Sequence, residues 1–112
     1  MKPPVGPEAF AALDLRVARV LEVAPAVGTR RPAWRLVLDA GPALGRVQSS
    51  AQLTRYPEDQ LVGRLVVVVV NLGSRRVAGW RSDVLVLAAL GEGGRVHLLD
   101  VDGDPPPGSP VA

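Results

Sequence analysis

Leu65-Val66-Val67-Val68-Val69-Val70 is apolar at every position and stops at Asn71, the only asparagine in the chain. A run of this kind, bounded by a turn residue, reads as a strand buried on both faces. A second apolar pattern, Val84–Leu90, follows after a connection that carries Arg75, Arg76, Arg81, Trp80, Ser74 and Ser82. Two strands joined through a turn so rich in guanidinium groups describe a binding edge on a β-barrel.

The rest of the chain supplies the other strands. From Leu13 to Val23 the odd positions Leu13, Leu15, Val17, Leu21 and Val23 alternate with polar partners, and Arg19 and Val20 break the phase. A long bent strand with a bulge accounts for this. Ala33–Asp39 forms a second strand with Trp34, Leu36 and Leu38 on one face, and Arg46–Leu53 a third. Between Thr54 and Gly63 an acidic first turn and a terminal glycine predict a short helix. Pro7–Ala12 predicts one or two helical turns ahead of the first strand. Val84–Leu90 and Arg95–Leu99 flank Gly91-Glu92-Gly93-Gly94, a hairpin signal. Strand, strand, strand, short helix, strand, strand is the order of an OB-fold, a five-stranded Greek-key barrel in an all-β class with small helices added.

At 112 residues the chain is expected to form one domain over 1–112, small enough that a partner subunit would help it. No stretch reaches the length needed to span a bilayer, and Met1–Gly6 lacks the apolar core of a signal peptide, which together predict a cytoplasmic location. Cysteine is absent, which removes disulfides, thiolate nucleophiles and the common zinc motifs. Lys2 is the one lysine among 13 basic residues, a usage that fits a heat-tolerant protein or a GC-rich genome. The formal charge is +2, but Asp100, Asp102 and Asp104 all lie in the last segment; 13 basic and 8 acidic residues remain over 1–99, a balance of +5. That balance suits an anionic partner.

Enzymatic readings fail for want of groups. His97, the sole histidine, lies between Val96 and Leu98 in a strand pattern, with no carboxylate or thiol to form a constellation. Ser49 and Ser50 sit in no strand-turn-helix elbow and have no base to name, so they read as hydrogen-bonding surface. Asp100-Val101-Asp102-Gly103-Asp104 has glycine at the fourth position and proline at the sixth of a would-be calcium loop, and reads as a solvated acidic turn. No metal and no cofactor is expected.

Arginine is the remaining chemistry. Arg30, Arg31 and Arg35 surround the turn into the second strand, and Arg75, Arg76 and Arg81 lie in the turn before the fifth. In an OB-fold those two loops approach one face, where six guanidinium groups would meet a phosphate backbone bidentately and stack on bases. The competing reading is a scatter of solvated arginines in a lysine-poor chain. Trp34 alternates in phase with Leu36 and Leu38, as a core residue would. Trp80, between Gly79 and Arg81, would stack on a base or fill a peptide pocket. Asn71 would either cap a strand end or join Ser49, Ser50 and Gln52 as neutral donors and acceptors for RNA or a peptide backbone.

The runs Asp14-Leu15-Arg16-Val17, Arg31-Pro32-Ala33-Trp34-Arg35-Leu36, Ser49-Ser50-Ala51-Gln52, Val70-Asn71 and Ser82-Asp83-Val84-Leu85-Val86-Leu87 together resemble the tRNA-binding-domain family, and within it the CsaA-type export chaperones. Stand-alone tRNA-binding members have glycine and methionine where Val84 and Leu85 stand here, which favours the CsaA branch. The resemblance implies a non-enzymatic homodimer that binds unfolded preproteins, works beside the export ATPase machinery and can bind tRNA; the alternative is a dedicated, structure-specific tRNA-binding protein. It also implies a peptide or RNA groove made by Ser49, Ser50, Gln52, Asn71 and Ser82, with Trp34 and Trp80 as apolar contacts. The Pro-rich segment 100–112 is expected to pack on the barrel or on the dimer partner.

Overall fold

The computed structural model describes residues 1–112. Helix α1 (Pro7–Ala11) leads into β1 (Leu15–Pro25), followed by β2 (Trp34–Asp39), β3 (Arg46–Ala51), the single turn α2 (Glu58–Leu61) and β4 (Leu65–Val69). The chain continues through β5 (Arg75–Val77), β6 (Trp80–Ser82), β7 (Leu85–Val86), β8 (Ala88–Leu90), β9 (Val96–Leu98) and β10 (Pro110–Val111). The antiparallel order β3-β2-β1-β4-β7 makes a nearly closed five-stranded barrel of the OB type.

Strand β1 organises the barrel because it is long enough to serve two neighbours. Residues 15–19 pair with β4 and residues 19–25 with β2, and the register shifts between Val20 and Glu22. The bulge that the broken phase predicts therefore sits at Leu21, where the strand must bend to pass from one side of the barrel to the other. The phase itself differs from the sequence reading. Before the bulge the barrel interior takes the even positions Ala18 and Val20, while Leu15 packs on the outside and Leu13 lies exposed ahead of the strand.

Two apolar layers result. Inside the barrel, Ala18, Val20, Leu36, Leu38, Val66 and Val68 are almost wholly buried together with Leu61 of α2. Each buried valine or leucine side chain among these stabilises the fold by about 1.5–3 kcal/mol relative to exposure. Outside, Leu15, Val67 and Val69 form a second cluster under Leu87, Val101 and Val111. This outer layer is why β4 is apolar at every position.

The C-terminal segment supplies that cover. Val17 N–H donates to Ser109 O (2.9 Å), Gly108 N–H donates to Val17 O (2.7 Å), and Leu15 pairs with Val111. The crossing is so close that a Cβ on Gly41 would lie 2.6 Å from Pro107 O; Gly41 also has φ 93°, which a side chain would strain. The acidic residues here are not a free tail: Asp100 pairs with Arg64 (2.7 Å) and Asp104 with Arg19 (2.9 Å).

The connection between β4 and β7 is more ordered than a turn. Arg75–Val77 and Trp80–Ser82 form a hairpin closed by Ala78 and Gly79, both with positive φ. The expected fifth strand is divided: Leu85–Val86 pairs with β4, and Ala88–Leu90 leaves the barrel to pair with β9.

Candidate functional site

A barrel that is not fully laddered must satisfy the backbone of its open edge by other means. Here the edge is β3, and the β5–β6 hairpin closes it largely with side chains. Asp83 Oδ2 accepts from Gln48 N–H (2.9 Å), Asp83 N–H returns a bond to Gln48 O (2.8 Å), Ser82 Oγ accepts from Ser50 N–H (3.3 Å), and Trp80 Nε1–H donates to Ser49 O (3.0 Å). From inside the barrel, Ser49 Oγ–H donates to Val84 O (2.9 Å). Asp83 is itself held by Ser74 Oγ–H (2.9 Å) and Arg81 Nε–H (2.8 Å).

Docked in this way, the hairpin forms one wall of a groove on the outer face of β3. The facing wall is the β1–β2 loop, where Ala26 N–H donates to Ala33 O (3.0 Å) and Thr29 Oγ1–H donates to Arg31 O (2.7 Å). The larger recess, about 470 Å³, has Arg30, Arg31 and Arg75 at its rim, Ser50 and Gln52 on its floor, and Ala33, Val77 and Ala78 along its side. A second recess of about 240 Å³ continues from Ser50 and Arg75 towards Ser82, Asp83 and Leu72. Ala78 holds φ 48°, an unfavourable value for a residue with a side chain, and does so at the groove wall.

The structure sorts the expected site residues into two sets. The guanidinium groups of Arg30, Arg31 and Arg75, the Ser50 hydroxyl and the Gln52 side-chain amide make no hydrogen bond or ion pair with other protein groups, and all five residues line the groove. The others are engaged. Arg35 donates to Ala78 O (3.2 Å) and lies over the Trp80 ring at 5.3 Å, its Nε buried without an acceptor. Arg76 donates to Gly79 O within its own hairpin (3.1 Å), and Arg81 is paired with Asp83. Trp80 and Ser82 fasten the hairpin, and Ser49 is buried at 1% exposure.

Two expected residues lie away from the groove. Trp34 packs against the barrel core and donates its indole N–H to Tyr56 O (3.1 Å). Asn71 clasps the N-terminal segment: its Oδ1 accepts from Asp14 N–H and its Nδ2 donates to Ala12 O, both at 2.8 Å. This is the capping alternative for Asn71, directed to the start of β1 instead of to its own turn.

Asp83 and the wall residues Thr29, Val77 and Ala78 were not singled out by sequence. Asp83 could have been found from its place beside Ser82 at the head of a strand, where a carboxylate is well placed to accept an orphan N–H. A second polar cluster stands at the α2 end of the barrel. The Tyr56 hydroxyl accepts from Leu98 N–H (3.0 Å) and Arg55 (3.1 Å), and Arg55 and Arg64 lie over its ring at 4.4 and 5.2 Å. The Leu98 hydrogen bond, helped by the nearby arginines, lowers the phenol pKa against the opposing effect of burial.

A family model described as a putative tRNA binding domain matches residues 15–110. A methionine--tRNA ligase of Thermotoga maritima is 38% identical over 103 residues, which cover 92% of this chain and 16% of the ligase. One from Xanthomonas campestris is 40% identical over 108 residues, covering 96% of this chain and 15% of the ligase. The chain thus spans only about one sixth of the length of these relatives. Two solved structures match end to end: a CsaA chaperone protein from Picrophilus torridus, with TM-score 0.92 and 35% identity over 97% of this chain and 100% of the other, and the chaperone CsaA from Bacillus anthracis, with TM-score 0.91 and 41% identity over 98% and 100%. With a family match from Leu15 to Pro110, on a barrel superimposable on both CsaA structures, this chain belongs to the tRNA-binding-domain family and is of the CsaA type within it.

Proposed function

We propose that this protein is a non-enzymatic RNA-binding protein whose groove holds the phosphate backbone of a tRNA. The observation that carries this reading is the meeting of Arg30, Arg31 and Arg75 on one groove without internal partners. An unpaired guanidinium is available for bidentate phosphate contact, whereas a paired one must first give up its acceptor. Ser50 and Gln52 add neutral donors and acceptors between the charges. The family match supports tRNA as the RNA class.

A second activity, binding of unfolded preprotein in the cytoplasm, is favoured by the end-to-end likeness to two CsaA chaperones. The working form on this reading is a homodimer. Helix α1 buries none of its residues within the chain, and Phe10 on the helix and Leu13 just after it stand exposed, an apolar surface that a second subunit would cover.

Competition between tRNA and an unfolded peptide for the purified protein, followed by fluorescence anisotropy, tests both activities. The expected result is tRNA binding at low salt, with peptide displaced if the two share the groove. Absence of tRNA binding at low salt would end the RNA reading and leave peptide binding alone. Light scattering at micromolar concentration tests the dimer, and a monomer there would remove it.

A further inference from the structure

The groove is more than a rail of positive charge. Phosphate contacts alone would need only the rim arginines, yet behind them lies a recess of about 470 Å³ with its own polar floor and apolar side. We infer that this recess receives one unpaired nucleotide of the bound RNA, its base against Val77 and Ala78 and its edge on Ser50 and Gln52, while Arg30, Arg31 and Arg75 hold the flanking phosphates. The inference rests on the RNA reading above and specifies which part of an RNA the site takes.

Three observations lead to it. The first is chemistry: the Ser50 hydroxyl and the Gln52 amide carry donors and acceptors that the fold leaves unused, although their neighbours Ser49 and Ser82 are fully committed to closing the barrel. An amide and a hydroxyl side by side match the mixed donor and acceptor edge of a base, and a phosphate, which has only acceptors, would use half of that capacity. The second is shape. The recess, about 470 Å³, has room for one base, and its hairpin wall is held to β3 by Trp80, Ser82 and Asp83. The third is the arrangement of charge, because guanidinium planes at the rim can both pair with phosphate and stack on an unstacked base. Duplex RNA keeps its bases stacked and paired, so only a loop, a bulge or an end could enter.

The test compares four probes on the full chain: a single-stranded RNA hexamer, the same hexamer with abasic residues, a blunt RNA duplex carrying the same number of phosphates, and tRNA. The inference requires the hexamer to bind at least about tenfold more tightly than its abasic analogue and than the duplex, as loss of a base contact implies. Replacing the floor by Ser50→Ala with Gln52→Leu should remove most of that tenfold preference while leaving the salt dependence of binding unchanged, because neither substitution removes a charge. Equal binding of hexamer and abasic analogue would overturn the inference and reduce the groove to a phosphate rail. So would tRNA binding without hexamer binding. Displacement of the hexamer by micromolar nucleoside monophosphate would overturn it in favour of a free-nucleotide site. If tRNA also fails to bind, the broader RNA reading falls with it, so the two failures are distinguishable. A floor variant that loses hexamer and abasic binding alike, with unfolding unchanged, would count against the base contact.

Discussion

The separation of free from engaged arginines gives a quantitative prediction for Arg75. Each phosphate neutralised by the protein contributes about 0.7 to 0.9 to the slope of log affinity against log salt. Three free arginines on one groove imply that a fourfold rise in salt weakens RNA binding roughly 20- to 40-fold per groove. Arg75→Gln removes one charge while retaining hydrogen-bonding capacity, and should reduce that loss to about 7- to 12-fold. Arg81→Gln is the comparison within the same hairpin: Arg81 is held by Asp83 at 2.8 Å, so its removal should leave the slope nearly as in the parent. Arg76, tied to Gly79 O, should behave like Arg81. The assay is anisotropy of labelled tRNA over a salt series from about 50 to 200 mM, with thermal unfolding recorded for each variant. Equal slopes for Arg75→Gln and the parent, or an equal flattening by Arg81→Gln, would refute the reasoning that internal pairing decides which arginines meet RNA.

Three further outcomes follow from the packing. Asp83→Ala leaves Gln48 N–H without its acceptor and frees Arg81, which should cost about 1–3 kcal/mol of unfolding free energy; an unchanged denaturant midpoint would show that the hairpin does not depend on this clamp. Asn71→Ala removes both bonds to Ala12 and Asp14 and should destabilise by about 1–3 kcal/mol with tRNA affinity intact, so a loss of affinity in a stable variant would return Asn71 to the binding site. Tyr56 is the only tyrosine, so tyrosinate absorbance reports it alone, and its midpoint should fall below the ordinary value near 10 because Leu98 N–H and Arg55 favour the phenolate. Since the folded state then releases its proton first, the contribution to stability rises with pH between the folded midpoint and the unfolded value, and remains above it. Tyr56→Phe should abolish that rise; a midpoint at or above 10 would contradict the hydrogen-bonding argument.

Several features were legible in the sequence because they are local. The unbroken apolar run of β4, the alternation of Trp34, Leu36 and Leu38, the phase break in β1 and the glycine-rich β8–β9 turn are each written within a few residues, and each appears in the fold as the strand, face, bulge or hairpin it implies. The approach of the two arginine loops could also be expected once an OB barrel was assumed. What the sequence could not decide was which members of a chemically equivalent set remain free. Arg75, Arg76 and Arg81 look alike along the chain, yet one faces the groove, one bonds its own turn and one is held by Asp83. Ser49 and Ser50 are adjacent, yet strand pleating turns one into the core to meet Val84 and the other to the groove. The inward phase of β1, with Ala18 and Val20 in place of the odd positions, was hidden because the C-terminal segment covers its outer face and makes both faces apolar. Local pattern determines which backbone forms and roughly where it turns; the pairing of a polar side chain depends on partners many residues away, and only tertiary packing brings those within hydrogen-bond reach.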